Sequence, residues 1–282
     1  LHGHAQMVIE AAVARQAERL EQVIFAGFTH RPAVELAHRL AALLPGDLDR
    51  VFFSDDGSTA VEVALKLSHQ YWQNRGRVRR RFLAFEGGYH GDTVGAMSAG
   101  ARSGFFDAFS GLLFQVDALP YPETWQGDDA VAEKEAVALA ALDSYLDEHG
   151  SETAAMIVEP LIQGAGGMRM CRPEFLRALA KRLRQAGVLL IFDEVMTGFG
   201  RTGALFASLK AKVTPDLICL SKGLTGGFLP LSVTVCRNHI YEAFLDESFA
   251  KAFAHGHSFT ANPLGCAAAL ASLDLLEGEE TP

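Results

Sequence analysis

The sequence predicts an α/β fold: a mostly parallel β-sheet with helices on both faces. Three observations lead there. Short, near-continuous apolar runs recur at residues 81–85, 154–158, 188–192, 217–220 and 231–236. Segments with apolar residues at helical spacing separate most of these runs. The chain has 282 residues and 49% hydrophobic content, which suffices for one large domain or two modest ones.

In chain order, helical periodicity covers residues 8–20 and 33–44. Arg50-Val51-Phe52-Phe53 is a short strand, and the turn-rich run from Ser54 to Ser58 follows it. The next segment puts Val61, Ala64, Leu65, Ser68, Tyr71 and Trp72 on one stripe, the mark of a helix with one face in the core. Further helices are predicted over residues 129–148, 174–186 and 263–276, alternating with the five apolar runs. Residues 120–127 have the least regular pattern and are expected to form a surface excursion.

Composition narrows the function classes. Twenty-five Lys and Arg against 34 Asp and Glu leave a net charge of −9, unlike a general nucleic-acid binder. The basic run Arg75, Arg77, Arg79, Arg80 and Arg81 has no interleaved aromatics and reads as a solvated helix end and loop. No stretch approaches the ~18 consecutive apolar residues of a membrane span, and no secretory leader pattern opens the chain. Cys171, Cys219, Cys236 and Cys266 form no CxxC pair and read as reduced, buried thiols, so a cytoplasmic protein is expected. Residue 1 is Leu, and Glu279-Glu280-Thr281-Pro282 follows an apolar helical pattern; a piece of a longer chain is expected.

In open α/β sheets ligands gather at the carboxyl ends of the strands, so the residues just after each strand carry the chemistry. After the first strand, Asp56-Gly57-Ser58-Thr59 opens a helix. It suits either a phosphate, through free helix N–H groups, or a plain N-cap. After residues 81–85, Glu86-Gly-Gly-Tyr89-His90-Gly91-Asp92 can swing Tyr89 or His90 across a cleft to stack on a flat ligand, or can cap the core with an aromatic. Glu159 and the Asp193-Glu194 pair stand at two further strand ends, where carboxylates serve as caps or as catalytic groups. Paired carboxylates also occur in glycoside hydrolysis, but the other groups point elsewhere.

Of seven lysines, only Lys222 comes directly off an apolar strand, and Gly223 follows it. A lysine there, partly desolvated, has a depressed pKa and an amine free for Schiff-base chemistry; pairing with a strand-end carboxylate is the structural alternative. An amine, a carboxylate, a phosphate cup and a stacking ring together match the needs of pyridoxal 5′-phosphate (PLP). Gly198-Phe-Gly200-Arg-Thr-Gly203 satisfies the dinucleotide pattern GxGxxG, but five residues separate it from its strand, and no acidic residue sits about 20 positions on at a second strand end. His2/His4 and His255/His257 are HxH pairs without a third metal ligand, so no metal is expected.

The run Leu190-Ile-Phe-Asp-Glu-Val-Met-Thr-Gly-Phe-Gly-Arg-Thr-Gly203, with Ser221-Lys-Gly223 downstream, resembles the signature of the class III (ω-type) aminotransferases. Gly27-Phe-Thr-His30, Gln70-Tyr-Trp72, Gly88-Tyr-His-Gly-Asp-Thr93 and Gln163-Gly-Ala-Gly-Gly-Met-Arg-Met170 resemble the branch of that family that serves biotin biosynthesis. The resemblance implies a PLP enzyme of fold type I, with residues 1–50 a helical lead-in and residues 51–282 the PLP-binding large domain. It implies transamination with S-adenosylmethionine or lysine as amino donor. Lys222 is then the Schiff-base lysine, and Asp193 the partner of the pyridine nitrogen. Gly57 and Ser58 lie on the phosphate, and Tyr89 lies beside cofactor and substrate. Gly256, His257 and Ser258 approach the site across a homodimer interface.

Met196 stands where ornithine-type relatives carry Gln, which argues against an ornithine or 4-aminobutyrate substrate. Family members continue into a small C-terminal domain with a carboxylate-binding arginine, so this piece alone is expected to be impaired. Another ω-aminotransferase, an NAD-dependent oxidoreductase and a catalytically silent dimeric binding protein remain the alternatives.

Overall fold

The computed structural model describes residues 1–100 and 106–278; the tail Glu279-Glu280-Thr281-Pro282 lies outside the described residues. The helices α1 (Met7–Ala17) and α2 (Arg31–Leu43) lead into β1 (Leu48–Ser54) and α3 (Gly57–Asn74). Next come β2 (Arg81–Phe85), α4 (Val94–Ala99), β3 (Asp117–Leu119), α5 (Val131–His149) and β4 (Thr153–Val158). A small hairpin, β5 (Ile162–Gln163) and β6 (Arg169–Met170), precedes α6 (Pro173–Ala186), β7 (Leu189–Asp193) and α7 (Ala207–Ala211). The described chain closes with β8 (Leu217–Leu220), β9 (Ser232–Arg237), α8 (Asn238–Glu242) and α9 (Pro263–Gly278).

Seven strands form one sheet in the order β1-β9-β8-β7-β4-β2-β3. β3, β2, β4, β7 and β8 run parallel, whereas β9 is antiparallel to both β8 and β1. The sheet is thus mostly parallel, as expected, with two antiparallel pairings at one side. A parallel return needs a crossover of a dozen or more residues, usually helical. Residues 221–231 contain only the 3₁₀ turn Lys222–Thr225, so the chain doubles back at the same edge.

The central strands bury side chains on both faces, which is why they read as continuous apolar runs. Leu83, Phe85, Met156, Val158, Leu190, Phe192, Ile218 and Leu220 pack into one core with α2, α5, α6 and α9. Their alternating neighbours Phe82, Ala84, Ala155, Ile157, Leu189, Ile191, Leu217 and Cys219 pack into a second core under α3. This second face includes the small residues Ala84, Ala155 and Cys219, and α3 comes close against it: Thr234 Oγ1 donates to the Ala60 carbonyl at 2.7 Å. At the far end of α3, Trp72 Nε1 donates to Ala154 O at 2.9 Å. The lead-in helices join the same body, Leu36 and Leu40 in the first core and Ile9 against Ala268 and Ala271.

Two expectations change. Arg79 is no solvated residue: it is buried, its guanidinium lies 3.9 Å from the Trp72 ring centre, and Nη1 donates to Gly150 O, Thr153 O and Gly187 O. A planar cation with several fixed donors can gather the C-cap carbonyls of α5 and α6 and the first carbonyl of β4 while stacking on an indole. Residues 120–127 are only partly a surface excursion, because Tyr121 and Thr124 are buried and Thr124 bridges to Met170. The four cysteines are free and buried. Among the described residues no helix is long and apolar enough to cross a membrane.

Candidate active site

The topology sends several chain segments to one edge of the sheet. β2, β4, β7 and β8 end there. β1 ends there too, because two antiparallel pairings in a row restore its direction, and β9 begins there. A cleft of about 520 Å³ opens between these ends. Asp55 to Ser58 line it after β1, Tyr89 to Gly91 after β2, Glu159 and Ala165 after β4, and Asp193, Val195 and Met196 at β7. Ser221 and Lys222 line it after β8, and Gly227 to Leu231 before β9.

The turn at Asp56 is an N-cap that also opens onto the cleft. Asp56 accepts from Thr59 N at 2.9 Å, while Thr59 Oγ1 accepts from Asp56 N at 3.0 Å, a capping box that stabilises α3 by about 1 kcal/mol. The same turn puts Gly57 and Ser58 in the cleft at the start of an 18-residue helix, where unpaired amides and the helix dipole favour an anion. Gly57 is required by close approach: a Cβ there would stand 2.7 Å from Val195 Cγ1. Gly91, at φ +121°, has the same constraint from Ser58, whose Oγ would be 2.1 Å from an added Cβ.

Asp193 is the last residue of β7 and is buried. Its Oδ2 lies 2.7 Å from His90 Nδ1, and its Oδ1 accepts from Val195 N at 3.1 Å. Burial by itself pushes the His90 imidazole down, but the hydrogen bond and charge of Asp193, with the charge of Glu159, outweigh it and hold His90 above its usual value. Glu159 accepts from Tyr89 N at 3.0 Å and Gly164 N at 2.9 Å, and burial raises its carboxyl. Tyr89 donates to Asp92 at 2.8 Å and stacks on Phe106 at 6.1 Å. Burial, then the bond to Asp92, pushes its hydroxyl up to about 12, so it is a neutral donor at ordinary pH.

Lys222 opens the 3₁₀ turn after β8 with a left-handed φ of 44°. β8 is paired in register beside β7, with Asp193 opposite Cys219, so Lys222 and Asp193 enter the cleft from neighbouring strands. The expectation of a desolvated amine is not met: Lys222 is exposed, because the turn carries it past the last paired residue of its strand.

The structure therefore gathers Gly57, Ser58, Tyr89, Asp193 and Lys222 around one cleft. Gly256, His257 and Ser258 do not line it. His257 sits at the rim, its Nδ1 3.5 Å from the Asp55 carboxylate, while the Ser258 carbonyl accepts from Gln22. His90 is not a stacking ring but the buried partner of Asp193, and Glu159 organises the loops behind it. The glycines flanking Tyr89-His90 hinted at a constrained ring, but the partner 103 residues away left no mark in the sequence.

The rival motifs find no matching structure. The Gly198–Gly203 run closes on itself, with Gly200 N bonded to Leu205 O and Gly203 N to Gly200 O, and no helix opens on its glycines. Among the described residues, no three His, Cys, Asp or Glu side chains come close enough to hold a metal. An amine, a buried carboxylate backed by an imidazole, a helix N-terminus and a phenol can hold a flat phosphorylated aldehyde such as PLP. Lys222 would meet the aldehyde, Asp193 the ring nitrogen, and Gly57 and Ser58 the phosphate.

Known proteins share this sequence and fold. The adenosylmethionine-8-amino-7-oxononanoate aminotransferase of Synechococcus elongatus is 62% identical over 280 residues, covering 99% of this chain and 66% of the relative. The enzyme of that name from Geobacter sulfurreducens is 44% identical over 284 residues, covering 99% of this chain and 63% of its own length. The chain thus spans just under two thirds of these curated relatives. The solved structure of the Methanocaldococcus jannaschii enzyme of the same name superposes with a TM-score of 0.89 at 37% identity, covering 98% of this chain and 62% of that one. A PLP-bound amine transaminase from an uncultivated Pseudomonas species superposes at 0.91 with 35% identity, covering 98% and 64%. The profile of the family described as Aminotransferase class-III matches residues 1–281, and with fold, cleft and relatives in agreement, the chain belongs to the class-III aminotransferases.

Proposed function

We propose that the full-length protein aminates 8-amino-7-oxononanoate to 7,8-diaminononanoate in biotin biosynthesis, as a PLP-dependent, cytoplasmic homodimer with S-adenosylmethionine or lysine as amino donor. Residues 51–282 are read as its cofactor-binding large domain and residues 1–50 as the lead-in to it. The observation that carries the chemistry is that Lys222 and Asp193 open into one cleft from adjacent strands. The choice of substrate is supported by the 62% identity to the Synechococcus elongatus enzyme.

When bound, PLP supplies the electron sink that stabilises negative charge on the substrate carbon during amino-group exchange. The chain's own residues do the rest. Lys222 Nζ would hold the cofactor covalently, and its free amine would carry a proton as general base and then acid. Asp193 would hold the ring nitrogen protonated. His90 and Val195 N each bind one Asp193 oxygen and fix the direction in which the carboxylate points. Gly57 and Ser58 bind the phosphate with first-turn amides of α3, and Tyr89 closes the cofactor side of the substrate space. Gly256, His257 and Ser258 reach the partner subunit's site.

The test uses full-length protein. Lys222→Ala is expected to lose the visible absorbance of lysine-bound PLP, and turnover with it; a retained band would move the chemistry to another lysine. A donor and acceptor screen followed by product mass is expected to yield diaminononanoate. Faster turnover with simple amines than with 8-amino-7-oxononanoate would overturn the substrate in favour of a broader ω-aminotransferase.

A further inference from the structure

Beside the cleft, four polar side chains stand in a row. Lys66 Nζ, on the exposed side of α3, lies 2.7 Å from His255 Nδ1. His255 Nε2 lies 3.1 Å from His257 Nε2, and His257 Nδ1 faces the Asp55 carboxylate at 3.5 Å. The His255 ring is held by aromatic neighbours, stacked on Phe253 at 5.6 Å and tilted against Phe52 at 5.9 Å.

Donor and acceptor rules leave one arrangement. A lysine ammonium only donates, so His255 Nδ1 accepts and its proton sits on Nε2. That N–H points at His257 Nε2, which must then accept, leaving the His257 proton on Nδ1, toward Asp55. The row therefore runs in one direction from a surface cation to an anion at the cleft rim, with both imidazoles neutral. A proton added to His255 would set its Nδ1–H against the Lys66 ammonium, and one added to His257 would set two N–H groups against each other at the His255–His257 contact. The titratable groups facing His255 are Lys66 and Glu62 of α3 together with His257. Burial first, then Lys66 and His257, lower its pKa and keep it neutral, with Glu62 opposing.

We infer that Lys66 and His255 are positioning residues for His257, a one-way hydrogen-bond chain that fixes the His257 ring at the cleft rim as its Nδ1–H tautomer. Its consequence for cofactor binding rests on the reading of His257 as a phosphate-side residue of the partner subunit's site.

The test is ¹⁵N-histidine NMR of the full-length protein, with the PLP dissociation constant measured on the same samples. The parent is expected to show His255 as the Nε2–H and His257 as the Nδ1–H tautomer. Lys66→Met is expected to mix the tautomers and let His255 take up a proton at higher pH, because a repelling cation is gone. Lys66→Arg, which also only donates, is expected to restore the parent pattern. The PLP dissociation constant is expected to rise roughly threefold to tenfold in Lys66→Met and in His255→Phe, the scale of one hydrogen bond. Unchanged ring-nitrogen signals in Lys66→Met would overturn the positioning chain. Altered signals with unchanged PLP affinity would uphold the chain and overturn the placement of His257 at the cofactor.

Discussion

Asp193 and Glu194 are consecutive and both buried, yet one belongs to the cleft and the other to the packed interior behind it. Asp193 is met by an imidazole that can carry positive charge and by a single amide. Glu194 is met by two amides, Ala207 N at 2.6 Å and Ser208 N at 2.7 Å, and holds the start of α7. Burial lifts the Glu194 carboxyl to about 7, the two amides offsetting only part of the effect. The difference shows that burial does not by itself assign a carboxylate its task; what faces it does. An imidazole and one amide aim the Asp193 carboxylate at the cleft, whereas two amides bind the Glu194 carboxylate to the start of α7.

The comparison is broken most directly by Asp193→Asn. Turnover of the full-length enzyme should fall at least about a hundredfold while the fold, read by circular dichroism, is retained. His90→Asn should come next. Leaving Asp193 without its imidazole should cost roughly 3–5 kcal/mol in denaturant unfolding. Since His90 is raised above 6.5 in the folded state, its charged form adds stability below 6.5 that is lost as pH rises through the raised folded value. The gap between parent and variant should therefore narrow in alkali.

Glu194→Gln tests the other region. A carboxyl lifted from 4.5 to about 7 gives stability that is full below 4.5 and lost as pH climbs through 7, on the order of 3 kcal/mol. The variant should lack that pH dependence in thermal melts, while its turnover stays within about threefold of the parent. The smallest effect is expected for Tyr89→Phe, which removes one hydroxyl and its bond to Asp92. A change of about 1 kcal/mol, read in the ratio of kcat to KM, would sharpen the view that Tyr89 acts chiefly through its ring.

What could be read from the sequence follows from chain locality. β2 and β8 were legible to the residue, and β4 and β7 to within one, because both faces of these strands are apolar and turns bound them. β3 has three residues and β5 and β6 two each, too few for any period to show. In the site, Lys222, Asp193 and the Gly57-Ser58 turn stood out because each directly follows or ends a strand. The Asp193–His90 bond, the Glu159 bonds to Tyr89 N and Gly164 N, and the burial of Arg79 did not, since each joins segments whose meeting depends on strand order. Strand order is set by crossovers, and no local pattern encodes it.

The close seat of α3 has one further consequence. At 18 residues it is about 27 Å long, a rigid rod that starts at the cleft and ends beside Trp72 and the Arg79 clasp at the opposite rim of the sheet. Enlarging Ala84, Ala155 or Cys219 beneath it would tilt that rod and shift its first turn, although none of the three lines the cleft. A lesion deep in the hydrophobic layer would then surface as weakened retention of a vitamin B6 derivative, a loss of function that extra B6 could partly correct.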